Sequence, residues 1–173
     1  VFSTSRIDYE GVEGDKKPNF DELKAFLSLM KQSGFRDGPI SVETGFEELA
    51  LEWSGRSKSE LEKDPDLYAS LAREIEEKKP FHPLAEEALE GLEKIREEYP
   101  SYDFYLTHMD EVFNRGPLPL YIALTNIVRE LSDFQMHMSI HHGEGTESMR
   151  QEIDPYIDLR VHHGYTFGQW LTR

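Results

Sequence analysis

The first residues that invite chemistry are Asp8 and Glu10, in the run Asp8-Tyr9-Glu10-Gly11 directly after the strand-like segment Phe2 to Ile7. Two carboxylates one residue apart at a strand end reach one space, so one can attack or hold a cation while the other transfers a proton. A second concentration lies late in the chain. Six of the seven histidines fall in the final 66 residues, and two adjacent pairs, His141-His142 and His162-His163, close strand-like segments. Neutral imidazoles ligate transition ions such as Zn²⁺. Successive strand residues face opposite sides, so each pair offers one imidazole to a given face. Against that stands the plain reading of these histidines as packed or surface residues. The following Gly143-Glu144-Gly145 reads as a glycine turn, with Glu144 poorly suited to cradling an anion.

The elements that would carry these residues follow from periodicity. Phe20, Leu23, Phe26, Leu27 and Met30 give one face of a helix from Phe20 to Ser33, with Asn19 as N-cap and Gly34 as stop. Pro39 to Thr44 reads as a strand or an extended segment. A charged helical region covers residues 46–80, where Asp64-Pro65 opens a helix bearing Leu67, Leu71 and Ile75. Leu84 to Glu98 is helical, as is the apolar stretch Leu118 to Leu131. Strands are expected at Asp103–Thr107, Phe134–His141 and Tyr156–His162, and the closing TFGQWLTR as a covering helix. Alternation of helix and strand with crossovers of this length points to a Rossmann-like α/β domain, a parallel central sheet flanked by helices, over residues 1–173. Ligands of such sheets bind beyond the carboxyl ends of the strands, which here supply Asp8, Glu10, Thr107, His108 and the paired histidines. The row Met136, Met138, Ile140 reads as a core face, and Trp53 and Trp170 as packing anchors.

Composition narrows the partners. Nineteen Lys and Arg against thirty-four Asp and Glu leave a net charge of −15, which disfavours nucleic acid and anionic membranes and favours a small-molecule partner. The absence of cysteine excludes disulfide frameworks, zinc ribbons, iron–sulfur clusters and thiol nucleophiles. With no long apolar run and no secretory-type start, a cytoplasmic protein is expected; composition leaves the oligomeric state open.

Taken in order, the aspartate turn, the helical region 46–80, the run Pro80-Phe81-His82-Pro83-Leu84-Ala85-Glu86-Glu87-Ala88-Leu89-Glu90-Gly91-Leu92, the strand ending Leu106-Thr107 and the late Ile157-Asp158 resemble the haloacid dehalogenase superfamily. The nearest likeness is to its nucleotidase-like phosphatases. The resemblance implies a helical cap at 46–80 and a Mg²⁺-dependent phosphohydrolase acting on a small phosphomonoester such as a nucleotide. Asp8 would be the nucleophile and Glu10 the acid/base, in place of the family's aspartate. Thr107 would hydrogen-bond the phosphoryl group, and Asp158 would share Mg²⁺ with Asp8. His108 and Arg150 would contact substrate, Arg150 standing in for the family's basic residue; Leu159 occupies the place of its second acidic residue. Two alternatives remain beside this: a non-catalytic acidic ligand-binding or regulatory protein on the same fold, and a histidine-metal hydrolase using His141 or His142 with His162 or His163.

Overall fold

A computed structural model describes residues 3–12, 15–109, 116–141 and 147–163. The chain opens with β1 (Ser3–Arg6) and an antiparallel hairpin of β2 (Asp8–Glu10) and β3 (Lys17–Asn19). Helix α1 (Asp21–Gln32) leads to β4 (Gly38–Glu43), after which come α2 (Phe46–Ser54), α3 (Lys58–Lys63), α4 (Asp66–Lys78) and α5 (His82–Glu98). Then β5 (Tyr102–Thr107), α6 (Leu118–Leu131), β6 (Gln135–His141) and α7 (Glu147–Ile153) alternate. A 3-10 turn at Asp154–Tyr156 precedes β7 (Leu159–His163). The expected closing helix and Trp170 lie outside the described residues.

Local chemistry accounts for the departures from expectation. The segment after β1 is a hairpin rather than a simple turn, because Tyr9 donates its hydroxyl hydrogen to the Thr44 carbonyl at 2.8 Å and anchors the hairpin on the end of β4. Asn19 caps α1 from one residue further out than expected: its Oδ1 accepts the Asp21 N–H at 2.7 Å, with Phe20 at the boundary. The last strand begins at Leu159 and not Tyr156, since Pro155 sits in the 3-10 turn and cannot donate to a ladder.

The sheet order is β1-β4-β5-β6-β7, parallel throughout. The described strands run in chain order, so among them there is no reversal of the kind that creates the ligand crevice of a doubly wound sheet. Right-handed crossovers that always step the same way carry their helices to the same face. Side-chain composition agrees. On one face Ile40, Val42, Phe104, Leu106, Met136 and Met138 are all buried and join one apolar cluster with Leu23 and Leu27 of α1, Leu92 and Ile95 of α5, and Leu124 and Val128 of α6. Each such aliphatic side chain contributes about 1.5–3 kcal/mol by leaving water. Met136 and Met138 thus form the core face expected of them. Helices α2 to α4, which fill the region read as a cap, place Phe46, Leu61, Leu71 and Ile75 in that same cluster. Trp53 is a partly buried packing residue at its edge, with the Lys78 ammonium 5.5 Å from its ring centre. Among the described residues, no helix is long and apolar enough to cross a membrane.

Candidate functional site

The other face of the sheet is polar. Register pairs Arg6 with Glu43 and Glu43 with Thr107, and the β5–β6 register, continued one step past Leu106↔Met136, sets Thr107 level with His137. A guanidinium, a carboxylate, a hydroxyl and an imidazole therefore stand in one row across four strands. One step toward the amino ends, Ser41 pairs with Tyr105 on the same face. Parity assigns these positions: the apolar residues between them are already committed to the helix side, so this set falls on the opposite side.

Strands β4 and β6 are separated by β5, and the Ser41 and His137 side chains reach across it: Ser41 Oγ lies 3.2 Å from His137 Nδ1. Ser41 and His137 are buried, while Glu43, Tyr105 and Thr107 are half-buried. At the margin of the row Arg6 is ion-paired to Asp8, Nε to Oδ1 at 2.9 Å, and approaches Glu48 at 3.7 Å.

Beyond the row, at the carboxyl ends of the last two strands, His141 and His163 are direct register partners. His162 pairs in backbone register with Ile140. His142 lies outside the described residues, and for Arg150, on α7, only the backbone is described. Among the described residues, no group of three or more His, Asp or Glu side chains is gathered as metal ligands.

The residues expected to share Mg²⁺ do not converge. Asp8 follows the carboxyl end of β1. Asp158 is bound to the start of β6: its carboxylate accepts the Met136 N–H at 2.8 Å and its own N–H donates to the Met136 carbonyl at 2.9 Å. By register Met136 stands level with Leu106, Val42 and Ser5, and β6 lies three strand spacings from β1, roughly 14 Å across a flat sheet, so the implied Mg²⁺ pair does not fit this structure. The physical cause is the late start of β7, which leaves Asp158 in the preceding turn as a clamp on β6, with Arg129 3.7 Å from its carboxylate. Glu10 is an exposed strut of the hairpin, accepting from Asn19 Nδ2 at 2.6 Å. Thr107 alone of the phosphatase set stands in the polar row.

His108 does not present itself to the rim as expected. It is 1% exposed, stacked on Phe46 with ring centres 5.7 Å apart and edge-on to Tyr121 at 5.4 Å. Its Nδ1 is hydrogen-bonded to Thr44 Oγ1 at 2.7 Å, and its buried Nε2 has no hydrogen-bond partner among the described residues. Burial in this aromatic setting pushes the imidazole down to about 3, so it is neutral at physiological pH. Burial also raises the Glu47 carboxyl, against the opposing pull of Lys58 at 3.1 Å.

The residues that sequence reasoning missed are Arg6, Ser41, Glu43 and His137. Their signal was present: in Ile40-Ser41-Val42-Glu43 and in Gln135-Met136-His137-Met138-Ser139-Ile140-His141 the apolar positions alternate with polar ones, which marks two different faces. In comparisons with known proteins, no family model, no curated protein and no solved structure matches the chain.

Proposed function

We propose that the protein is a metal-dependent hydrolase of a small molecule, with its metal held at the carboxyl rim by His141 and His163. The observation that carries this reading is the backbone register that pairs those two residues at the carboxyl ends of β6 and β7. Adjacent parallel strands run about 4.8 Å apart, a spacing that lets two imidazoles share one ion. A Zn²⁺-class ion held there would supply Lewis-acid polarisation of a carbonyl or phosphoryl oxygen. Four residues back along β6, roughly 13 Å from His141, the polar row would supply Glu43 and His137 as groups able to hold or move a proton and Thr107 as a donor that orients the far end of a substrate. The net charge of −15 supports a small-molecule partner over nucleic acid.

The phosphohydrolase reading ranks second. Thr107 in the polar row favours it, but it needs a cation ligand other than Asp158 beside Asp8. The test is an assay of the full chain against chromogenic esters, amides, glycosides and phosphomonoesters with Zn²⁺ or Mn²⁺ added, then with a chelator. The reading expects turnover of at least one class, abolished by chelation, restored by metal, and lost in His163→Ala. Turnover that survives His141→Ala and His163→Ala but collapses in Asp8→Asn would transfer the assignment to the phosphohydrolase. Folded protein with no turnover in any class would leave the ligand-binding reading.

A further inference from the structure

We infer that the side wall made by the free edge of β1 and the outward flank of α1 is a dimer interface, occupied by a second copy of this chain related by a two-fold axis beside Ser5. The inference goes beyond the proposed metal site and does not depend on it, since that site lies toward the other edge of the sheet.

Strand β1 pairs with β4 alone among the described strands. Ile7 donates its N–H to the Glu43 carbonyl at 2.8 Å. By alternation the backbone N–H and C=O of Ser5 turn the same way, toward β4, while those of Thr4 and Arg6 turn outward. An open row of this kind is a template for another strand. The helix layer ends at the same wall. Phe20, at the start of α1, lies over Gly91 of α5, and Lys31, near its end, lines a cleft with Tyr99 and Pro100 just past α5. At about 100° per residue, Glu22, Phe26 and Leu29 occupy the flank opposite Lys31 and so look away from α5, past β1. Leu29 is 62% exposed there, and Phe26 is half-buried.

Two features select a second copy as the occupant. A foreign strand would pair with β1 and leave Leu29 and Phe26 in water, whereas a second copy brings a strand edge and a helix flank at the same spacing and covers both layers. A two-fold axis beside Ser5 runs β1 antiparallel to its copy and sets Thr4 of each chain against Arg6 of the other, so both pairs exchange their outward N–H and C=O groups. Charge agrees with this placement. Each copy carries −15, and two such bodies meet with least repulsion where charge is sparse: Glu22 is the one charged side chain of the three on the flank, and the Arg6 guanidinium is already paired with Asp8 at 2.9 Å. Size sets the affinity. The 12 residues of α1 are about 18 Å long, and a helix layer on a sheet is about 20 Å deep. Such a wall falls short of the roughly 800 Å² per partner of a standard interface, which puts the dissociation constant on the order of tens of micromolar.

The experiment is sedimentation velocity of the full chain from about 5 to 500 µM, at low and at high NaCl, with melting recorded for every variant. The 20.1 kDa chain should move toward twice that mass as concentration rises, and more readily at high salt, where screening relieves the repulsion between two acidic copies. Leu29→Glu should raise the dissociation constant tenfold or more. Thr4→Pro removes an outward N–H without touching the ladder to β4, and should do the same. Lys94→Gln, on α5 and beside Asp133, changes the net charge by the same single unit as Leu29→Glu and should leave the dimer unchanged. A chain that stays monomeric at the highest concentration and salt overturns the inference and leaves the wall to a foreign strand. So does a dimer that added salt dissolves, or one that the folded Leu29→Glu and Thr4→Pro proteins both keep intact.

Discussion

His108 should make the fold acid-sensitive through the free energy of keeping one imidazole neutral. In an unfolded chain a histidine takes up its proton near pH 6.5, whereas in the native core it does so only near 3. Between those values the unfolded state binds a proton that the native state refuses, so stability falls as pH falls, by about 1.4 kcal/mol per pH unit. From pH 6.5 down to 4.5 the loss from this one group is about 2.3 kcal/mol, a large part of a typical domain's stability. His108→Phe keeps a flat ring between Phe46 and Tyr121 and cannot titrate. Urea denaturation of both proteins at half-unit steps from pH 7.0 to 4.5 isolates the effect, because every other group titrates in both. The stability difference between wild type and variant should shift in favour of the variant by about 2–3 kcal/mol across that range. A difference that stays flat with pH would refute the placement of His108 in the core.

Two further predictions concern packing and charge. Lys58→Ala leaves the buried Glu47 carboxyl without its partner at 3.1 Å and should destabilise by about 1–2 kcal/mol at pH 7, less than for a fully buried pair because Lys58 is exposed. Because the Glu47 carboxyl is raised, that penalty grows as pH rises through the carboxylate range, and adding Glu47→Gln should recover most of it, as read by denaturant midpoints. Gly45 has φ +69°, and a Cβ there would lie 2.9 Å from the Ile7 carbonyl oxygen and 2.9 Å from the Tyr9 ring. Gly45→Ala should therefore cost about 2 kcal/mol or more, lowering the melting temperature. A neutral or stabilising Gly45→Ala would contradict the close approach of the hairpin to the end of β4.

How far the sequence revealed this molecule depended on whether local patterning or long-range pairing decided the matter. The α6 helix was legible from Leu118 to Leu131 because its apolar spacing and the Pro117-Leu118-Pro119 start are local signals. The same holds for β4 and β5, found within a residue or two of expectation. Strand order is not local. Nothing in the residues of β1 says that it pairs with β4 alone among the described strands, and the phosphatase likeness depended on Asp8 and Asp158 meeting at one end. Asp158 was misplaced because Ile157 and Leu159 extend an apolar alternation that Pro155 in fact delays. The polar row was hidden for a different reason: its four members come from four separate strands, so only register brings Arg6, Glu43, Thr107 and His137 together. The alternation that puts Glu43 and His137 on one face was visible in each strand separately.

The measurement that bears most directly on the proposed site is a Co²⁺ titration of the intact protein followed by visible absorption. Cobalt bound through imidazoles should give ligand-field bands that saturate with protein, disappear in His141→Ala and in His163→Ala, and persist in Asp8→Asn and Asp158→Asn. Bands that survive both histidine substitutions, or that vanish with Asp8→Asn, would contradict a metal held by the register pair at the ends of β6 and β7.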